Sequence, residues 1–192
     1  MKIYKNPEFE NDSYMFVIDL KKDEFELSRP SGNYTYEYIE AKIKAFENKS
    51  KSKKAFEAFN DRPSFANFDN VEDLSGTIYT YTCQNKNKLD YAHIIRYCKH
   101  FKDRHRRCVV NFADTLHDYL SPHKDTSCLN SIHYYKDNVT VYFRASDIKN
   151  ELLLDLYLIN RFFIEPVGKF KTLTVMSSTA QNVGTKLSTL IR

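Results

Sequence analysis

The sequence predicts one α+β domain spanning residues 1–192, in which a mostly antiparallel sheet packs on a buried central helix. Three observations predict it. β-rich and helix-period runs follow the order β, α, α, β, α, β, loop, β-hairpin, α, β. Ile148–Ile164 is so apolar (LLLDLYLI, then FFI) that a helix there must be largely buried. Ser131–Tyr135 and Val139–Phe143 flank the turn-forming Lys136-Asp137-Asn138, the pattern of a hairpin. A chain of 192 residues is long enough for one real core and short for two.

Taken in order, Tyr14–Leu20 (YMFVIDL) is aromatic and β-branched and reads as a strand, with a second short strand at Phe25–Leu27. Ile39, Ile43 and Phe46 recur at helical spacing, and Ala55–Asn60 continues as a short helix after the polar run Lys49–Lys54. Gly76–Thr82 alternates like a strand. From Asp90, a candidate N-cap, the stripe Tyr91, Ile94, Ile95, Cys98 and Phe101 marks an amphipathic helix and makes Cys98 a core residue. The basic Lys102–Arg107 leads into a strand at Cys108–Phe112. On the second hairpin strand Val139, Val141 and Phe143 share one face, and Thr140, Tyr142 and Arg144 the other. Asp147 is a candidate N-cap for the apolar helix, and Phe170–Met176 alternates as the last strand, followed by a polar tail.

Composition narrows the function classes. Hydrophobic content of 42% with 14 Tyr and 14 Phe argues against wholesale disorder. The net charge of +4 is modest, so nucleic acid is not required as a partner and a small anionic ligand would suit it. Four cysteines show no CxxC pairing, and the N-terminus has no signal-peptide apolar core, which reads as a cytoplasmic chain with reduced thiols. No run reaches the ~18–20 apolar residues of a membrane helix. No metal site is expected.

Thr126–Pro166 concentrates the chemistry: Cys128 at a strand entrance, Arg144 at the end of the returning strand, and Asp155 inside the apolar helix. A carboxylate there needs polar partners, a pocket wall, or a wet stripe shared with Asn150 and Glu151. The i, i+4 spacing of Glu151 and Asp155 favours the wet stripe.

These residues and their order resemble the thymidylate synthase family, which includes the phage deoxycytidylate hydroxymethylases. Ser75-Gly76-Thr77-Ile78-Tyr79 is similar to the family's Leu-Gly-Pro-Val-Tyr segment, and LDYAHIIRYCKHFKDRHRR to its helix ending in Ser-Arg-Arg. Cys128 falls at the Pro-Cys-His nucleophile, and Phe143-Arg144-Ala145-Ser146-Asp147 at Gln-Arg-Ser-x-Asp. Asp155 falls where thymidylate synthases carry Asn and the hydroxymethylases Asp.

The resemblance implies a thymidylate synthase-like fold and one-carbon transfer to C5 of a pyrimidine deoxynucleotide monophosphate, dCMP by preference, with methylenetetrahydrofolate as donor. It implies Cys128 as nucleophile, and Arg144 and Asp147 with Asp155 as substrate-binding residues. Arg106 and Arg107 would reach the partner's phosphate in a homodimer with shared sites. The family's catalytic Glu falls on Ala41; Glu40 and Glu37 are neighbours that would replace it on a shift of helix register, and Glu40 is the candidate. Leu129 stands where the family has His, Ala145 where it has the phosphate-binding Ser, and Phe143 where it has Gln. The chain has no tryptophan for the folate wall. Those departures define the alternative, a catalytically degenerate relative that binds a nucleotide or a protein.

Overall fold

The computed structural model describes residues 1–21, 91–112, 128–149, 152–183 and 187. Expectations at Phe25–Leu27, Glu40, Lys49–Lys54, Ala55–Asn60, Gly76–Thr82 and Asp90 lie outside the described residues. Within them the chain forms β1 (Lys2–Lys5), β2 (Tyr14–Asp19), α1 (Tyr91–Phe101), β3 (Cys108–Asn111), β4 (Leu129–Tyr135) and β5 (Asn138–Asp147). There follow α2 (Leu152–Ile159), a π-helical turn at Asn160–Ile164, and β6 (Thr172–Gln181). The six strands make one sheet in the order β1-β2-β6-β5-β4-β3. All neighbours are antiparallel except β5 and β6, which are parallel and joined through α2. The fold is α+β with a mixed sheet.

Alternation of side chains decides which face is buried. Tyr14, Phe16 and Ile18 of β2, Leu173 and Val175 of β6, and Val139, Val141 and Phe143 of β5 point into the core, together with Ile132 and Tyr134 of β4 and Cys108 and Val110 of β3. The opposite face of β5 carries Thr140 and Tyr142, half-buried, and Arg144, exposed. Tyr142 Oη pairs there with Ser178 Oγ of β6. The phase of this alternation slips once in each of three adjacent strands. Buried positions run 143 then 146 in β5, 177 then 180 in β6, and 129 then 132 in β4, where the register with β5 is interrupted. The slip turns Ser146, between Ala145 and Asp147, toward the core.

The apolar helix packs as predicted. Leu156, Leu158, Ile159 and Phe163 are fully buried, and Tyr134 Oη of β4 donates to the Phe163 carbonyl at 3.0 Å. Phe112 meets the Phe163 ring edge-on. The turn after Ile159 widens to a π-helix, closed by Glu165 N–H to Asn160 O at 2.9 Å. Gly168, at φ 155, ends it where a Cβ would lie 3.3 Å from Lys102 Cε. In α1, Ile94, Ile95 and Cys98 are buried as their spacing predicts.

Three expectations need correction. β5 continues through Arg144 to Asp147, because the parallel ladder with β6 extends to the pair Asp147–Gln181. Arg144 is thus inside a strand rather than at its end. Ile148 and Lys149 form a turn, so Asp147 ends β5 rather than capping a helix that begins at Ile148. Its Oδ1 accepts the Lys149 N–H at 3.1 Å and its Oδ2 the Asn182 amide at 2.6 Å, tying the end of β5 to the end of β6. Asp155 is buried rather than on a wet stripe, because the sheet covers that side of α2.

Candidate functional site

Cys128 immediately precedes β4, and its carbonyl accepts the Arg144 N–H at 2.8 Å. The next pair along the ladder is Leu129–Phe143. Leu129 and Phe143 are fully buried while Cys128 and Arg144 are exposed, so alternation carries the thiol and the guanidinium away from the core together. A guanidinium beside a thiol favours the thiolate and can bind a phosphate by two parallel hydrogen bonds. The remaining described thiols are different. Cys98 and Cys108 are buried against each other, and burial pushes both thiols up, Cys98 far above the ordinary range.

Asp155 lies on the buried side. It sits in the first turn of α2, where the helix dipole favours a carboxylate, and it is 6% exposed. Its charge acts on the buried Tyr14 phenol of β2, which lies beside two more buried hydroxyls, Ser146 on β5 and Ser177 on β6. Burial pushes the Tyr14 phenol far above its ordinary range, with the Asp155 charge adding to that shift and the Ser146 and Ser177 hydroxyls opposing it. Tyr14 is therefore a neutral donor throughout the working pH range. Ser177 Oγ donates to Thr179 O at 2.8 Å. Tyr14 Oη and Ser146 Oγ close no hydrogen bond of normal geometry.

Register relates the two groups. Tyr14 pairs with Ser177, Ser177 with Phe143 and Phe143 with Leu129, one row running across four strands. Cys128 and Arg144 occupy the adjoining row. The exposed thiol–guanidinium pair and the buried acid–hydroxyl cluster thus belong to the same end of the sheet but to its opposite faces.

Arg106 and Arg107 are exposed in the turn between α1 and β3. The Arg106 carbonyl accepts Nε2–H of His133 at 2.8 Å, which fixes that turn beside the middle of β4. Five residues separate His133 from Cys128, roughly 16 Å along an extended strand. The arginine turn and the Cys128–Arg144 pair are therefore held apart within one chain.

Pattern reading passed over Tyr14, Ser146 and Ser177. Two of them carried a signal: Tyr14 and Ser177 are polar groups at core-phase positions of their strands. Ser146 carried none, because it reaches the core only through the phase slip. Among the described residues no group of three or more His, Cys, Asp or Glu side chains could hold a metal ion, and no helix is long and apolar enough to cross a membrane. A scan against models of known protein families finds no match, and a search of curated proteins finds none either.

Proposed function

We propose that this protein binds a pyrimidine deoxynucleotide monophosphate and transfers a one-carbon unit to its C5, with dCMP the preferred substrate. The observation that carries the reading is the Cys128–Arg144 pair, exposed side by side across the β4–β5 ladder. Arg144 binds the 5′-phosphate and favours the Cys128 thiolate. The thiolate forms a bond to C6, and the C5–C6 π pair becomes available at C5 for attack on an electrophilic carbon. Glu40, next to Ala41 where the family's Glu falls, is the candidate base for the C5 proton; its loss with departure of the donor's amine leaves a methylene on C5, and water adds to that carbon as the thiolate leaves C6, giving the hydroxymethyl product. The resemblance gives Asp155 the exocyclic amine of cytosine, whereas the uracil carbonyl would face it as a second acceptor; in this chain the carboxyl lies under the opposite face of the sheet from Cys128 and Arg144.

Asp147 is held between Lys149 and Asn182 and supports the substrate side of β5. Methylenetetrahydrofolate is the donor that the resemblance implies. No described side chain is matched to a folate-contacting position, so it enters only as the source of the carbon that C5 acquires. The separation of Arg106 and Arg107 from Cys128 supports their serving the partner's phosphate in a homodimer with shared sites. The fold on this reading is thymidylate synthase-like.

The test is tritium release from 5-tritiated dCMP and dUMP with methylenetetrahydrofolate present. Release from dCMP, abolished by Cys128→Ser, is expected; no release from either nucleotide rules out the enzyme. One observation favours the second reading, a nucleotide-binding relative without turnover: Leu129, at the family's His, is sealed in the core and offers nothing to the chemistry. That reading predicts thermal stabilisation by nucleotide that survives Cys128→Ser, with no tritium released.

A further inference from the structure

The net charge of +4 conceals a separation of charge along the strands. The end of the sheet away from Cys128 gathers the close of β2, the start of β6, the β4–β5 turn and the turn after α1. Backbone hydrogen bonds hold these segments together: Lys136 N–H to Lys102 O at 2.9 Å, Lys171 N–H to Asp137 O at 2.7 Å and Leu20 N–H to Lys171 O at 2.9 Å. Lys21, Arg104, Lys136 and Lys169 are exposed there. The carboxylates at this end are already engaged. Asp103 pairs with Lys102 at 3.0 Å and Asp137 with Lys171, while Asp19 accepts the Lys21 N–H and Glu165 the Asn160 amide. Among the described residues no carboxylate pairs with the side chains of Lys21, Arg104, Lys136 or Lys169. At the other end the balance reverses, with Glu8, Glu10 and Asp12 in the loop that bonds to Ala180 of β6.

Strand order turns the four cations into a row. Lys21 follows β2, Lys169 precedes β6, Lys136 joins β4 to β5 and Arg104 precedes β3, so they succeed one another across the sheet. Four interstrand spacings make that row roughly 19 Å long. A single phosphate would meet one or two of these charges, whereas a partner with repeated negative charge meets all four. A nucleic acid strand and an anionic bilayer both have that property, and the apolar side chains favour the strand. Val167 and Phe170 beside the row are buried and so do not project to enter a bilayer. Tyr97, near the C-terminal end of α1, is 43% exposed and lies against the Phe101 ring at 4.8 Å, a flat surface on which an unpaired base can stack.

We propose that this row binds single-stranded nucleic acid, with phosphates on Lys21, Lys169, Lys136 and Arg104 and a base on Tyr97. The inference does not rest on the pyrimidine-nucleotide reading above. The row lies roughly 20 Å of strand from Arg144, and none of its residues belongs to the site proposed there.

The experiment is fluorescence anisotropy of a labelled single-stranded deoxyadenylate oligomer of about twenty nucleotides, titrated with the full chain between roughly 50 and 200 mM salt. Deoxyadenylate offers no pyrimidine to Cys128. Four neutralised phosphates give a log affinity that falls against log salt with a slope of about −3. Lys136→Glu/Lys169→Glu is expected to weaken binding about tenfold or more and to roughly halve that slope. Lys136→Gln/Lys169→Gln, a milder pair, is expected to give a smaller loss in the same direction. Lys5→Glu/Lys149→Glu makes the same change in net charge at the other end of the sheet and is expected to cost less than about threefold. Tyr97→Leu, which keeps an apolar contact with Phe101, is expected to lose about fivefold or more. Equal losses in the two glutamate pairs, or no salt-dependent binding by the wild type, overturn the inference. So does unchanged affinity in Tyr97→Leu, or binding to vesicles of anionic phospholipid with none to the oligomer.

Discussion

Cys128 differs from Cys98 and Cys108 in nearly every property that governs thiol chemistry. It is exposed and lies beside Arg144, whereas the other two are sealed between α1 and β3 and pushed toward the neutral thiol by burial. A thiol-specific reagent applied to the native protein is expected to label Cys128 first among these three, with Cys98 and Cys108 reacting only on unfolding; peptide mapping after a short labelling pulse checks this. Arg144→Ala should weaken a nucleoside monophosphate far more than the nucleoside. Loss of one charge-assisted contact, about 1.5–3 kcal/mol, corresponds to roughly 10- to 150-fold in Kd. Titrating dCMP against deoxycytidine separates the phosphate contribution from the base. The positions of Cys128 and Arg144 were legible because strand alternation is a local property. The burial of Asp155 was not: the i, i+4 relation to Glu151 describes only the helix surface, and which side of that surface meets the sheet is a tertiary fact.

At the level of elements, the hairpin and the last strand are stitched together at their starts. Asp137, in the β4–β5 turn, accepts from Lys171 Nζ and offers its carbonyl to the Lys171 and Thr172 N–H groups at 2.7 and 3.2 Å. The Lys171 hydrogen bond holds the Asp137 carboxyl below its ordinary range. A depressed folded-state pKa contributes stability above the unfolded pKa, about pH 4, and that contribution fades as pH falls through the folded value. Carboxyl-resolved NMR should show Asp137 titrating below an unstructured aspartate, and Lys171→Met should move it back up. On the core side, Tyr134→Phe removes the buried hydroxyl that donates to the Phe163 carbonyl and should cost about 0.5–1.5 kcal/mol, read from urea unfolding. The hairpin, α1, the apolar helix and β2 were all legible, since each buries one stripe or one face. β1 was missed because all four of its residues are exposed, so an edge strand there has no alternation to show. β6 runs on into Ser177–Gln181, which composition alone reads as a polar tail, because its parallel partner β5 supplies the hydrogen bonds.

Across the whole molecule, the arrangement of strands sets what one chain can do by itself. His133 ties the Arg106 turn to the middle of β4, roughly 16 Å of strand from Cys128. If the arginines serve a partner's site, an inactive Cys128→Ser chain mixed with an inactive Arg106→Ala/Arg107→Ala chain should recover about a quarter of wild-type activity. Half of randomly paired dimers are then mixed, and each mixed dimer holds one intact site. Recovery of no activity on subunit exchange would mean that each chain completes its own site or that there is none.

By itself the sequence determined the α+β class, the faces of α1, β2 and β5, the hairpin and the burial of the apolar helix. Each follows from a period of 2 or 3.6 read over a few adjacent residues. Only the tertiary structure decided the parallel pairing of β5 with β6, the phase slip that turns Ser146 inward, and the meeting of Tyr14 with Asp155 from elements about 140 residues apart. Strand pairing and buried polar contacts depend on which distant segments satisfy one another's hydrogen bonds. No local period encodes that choice.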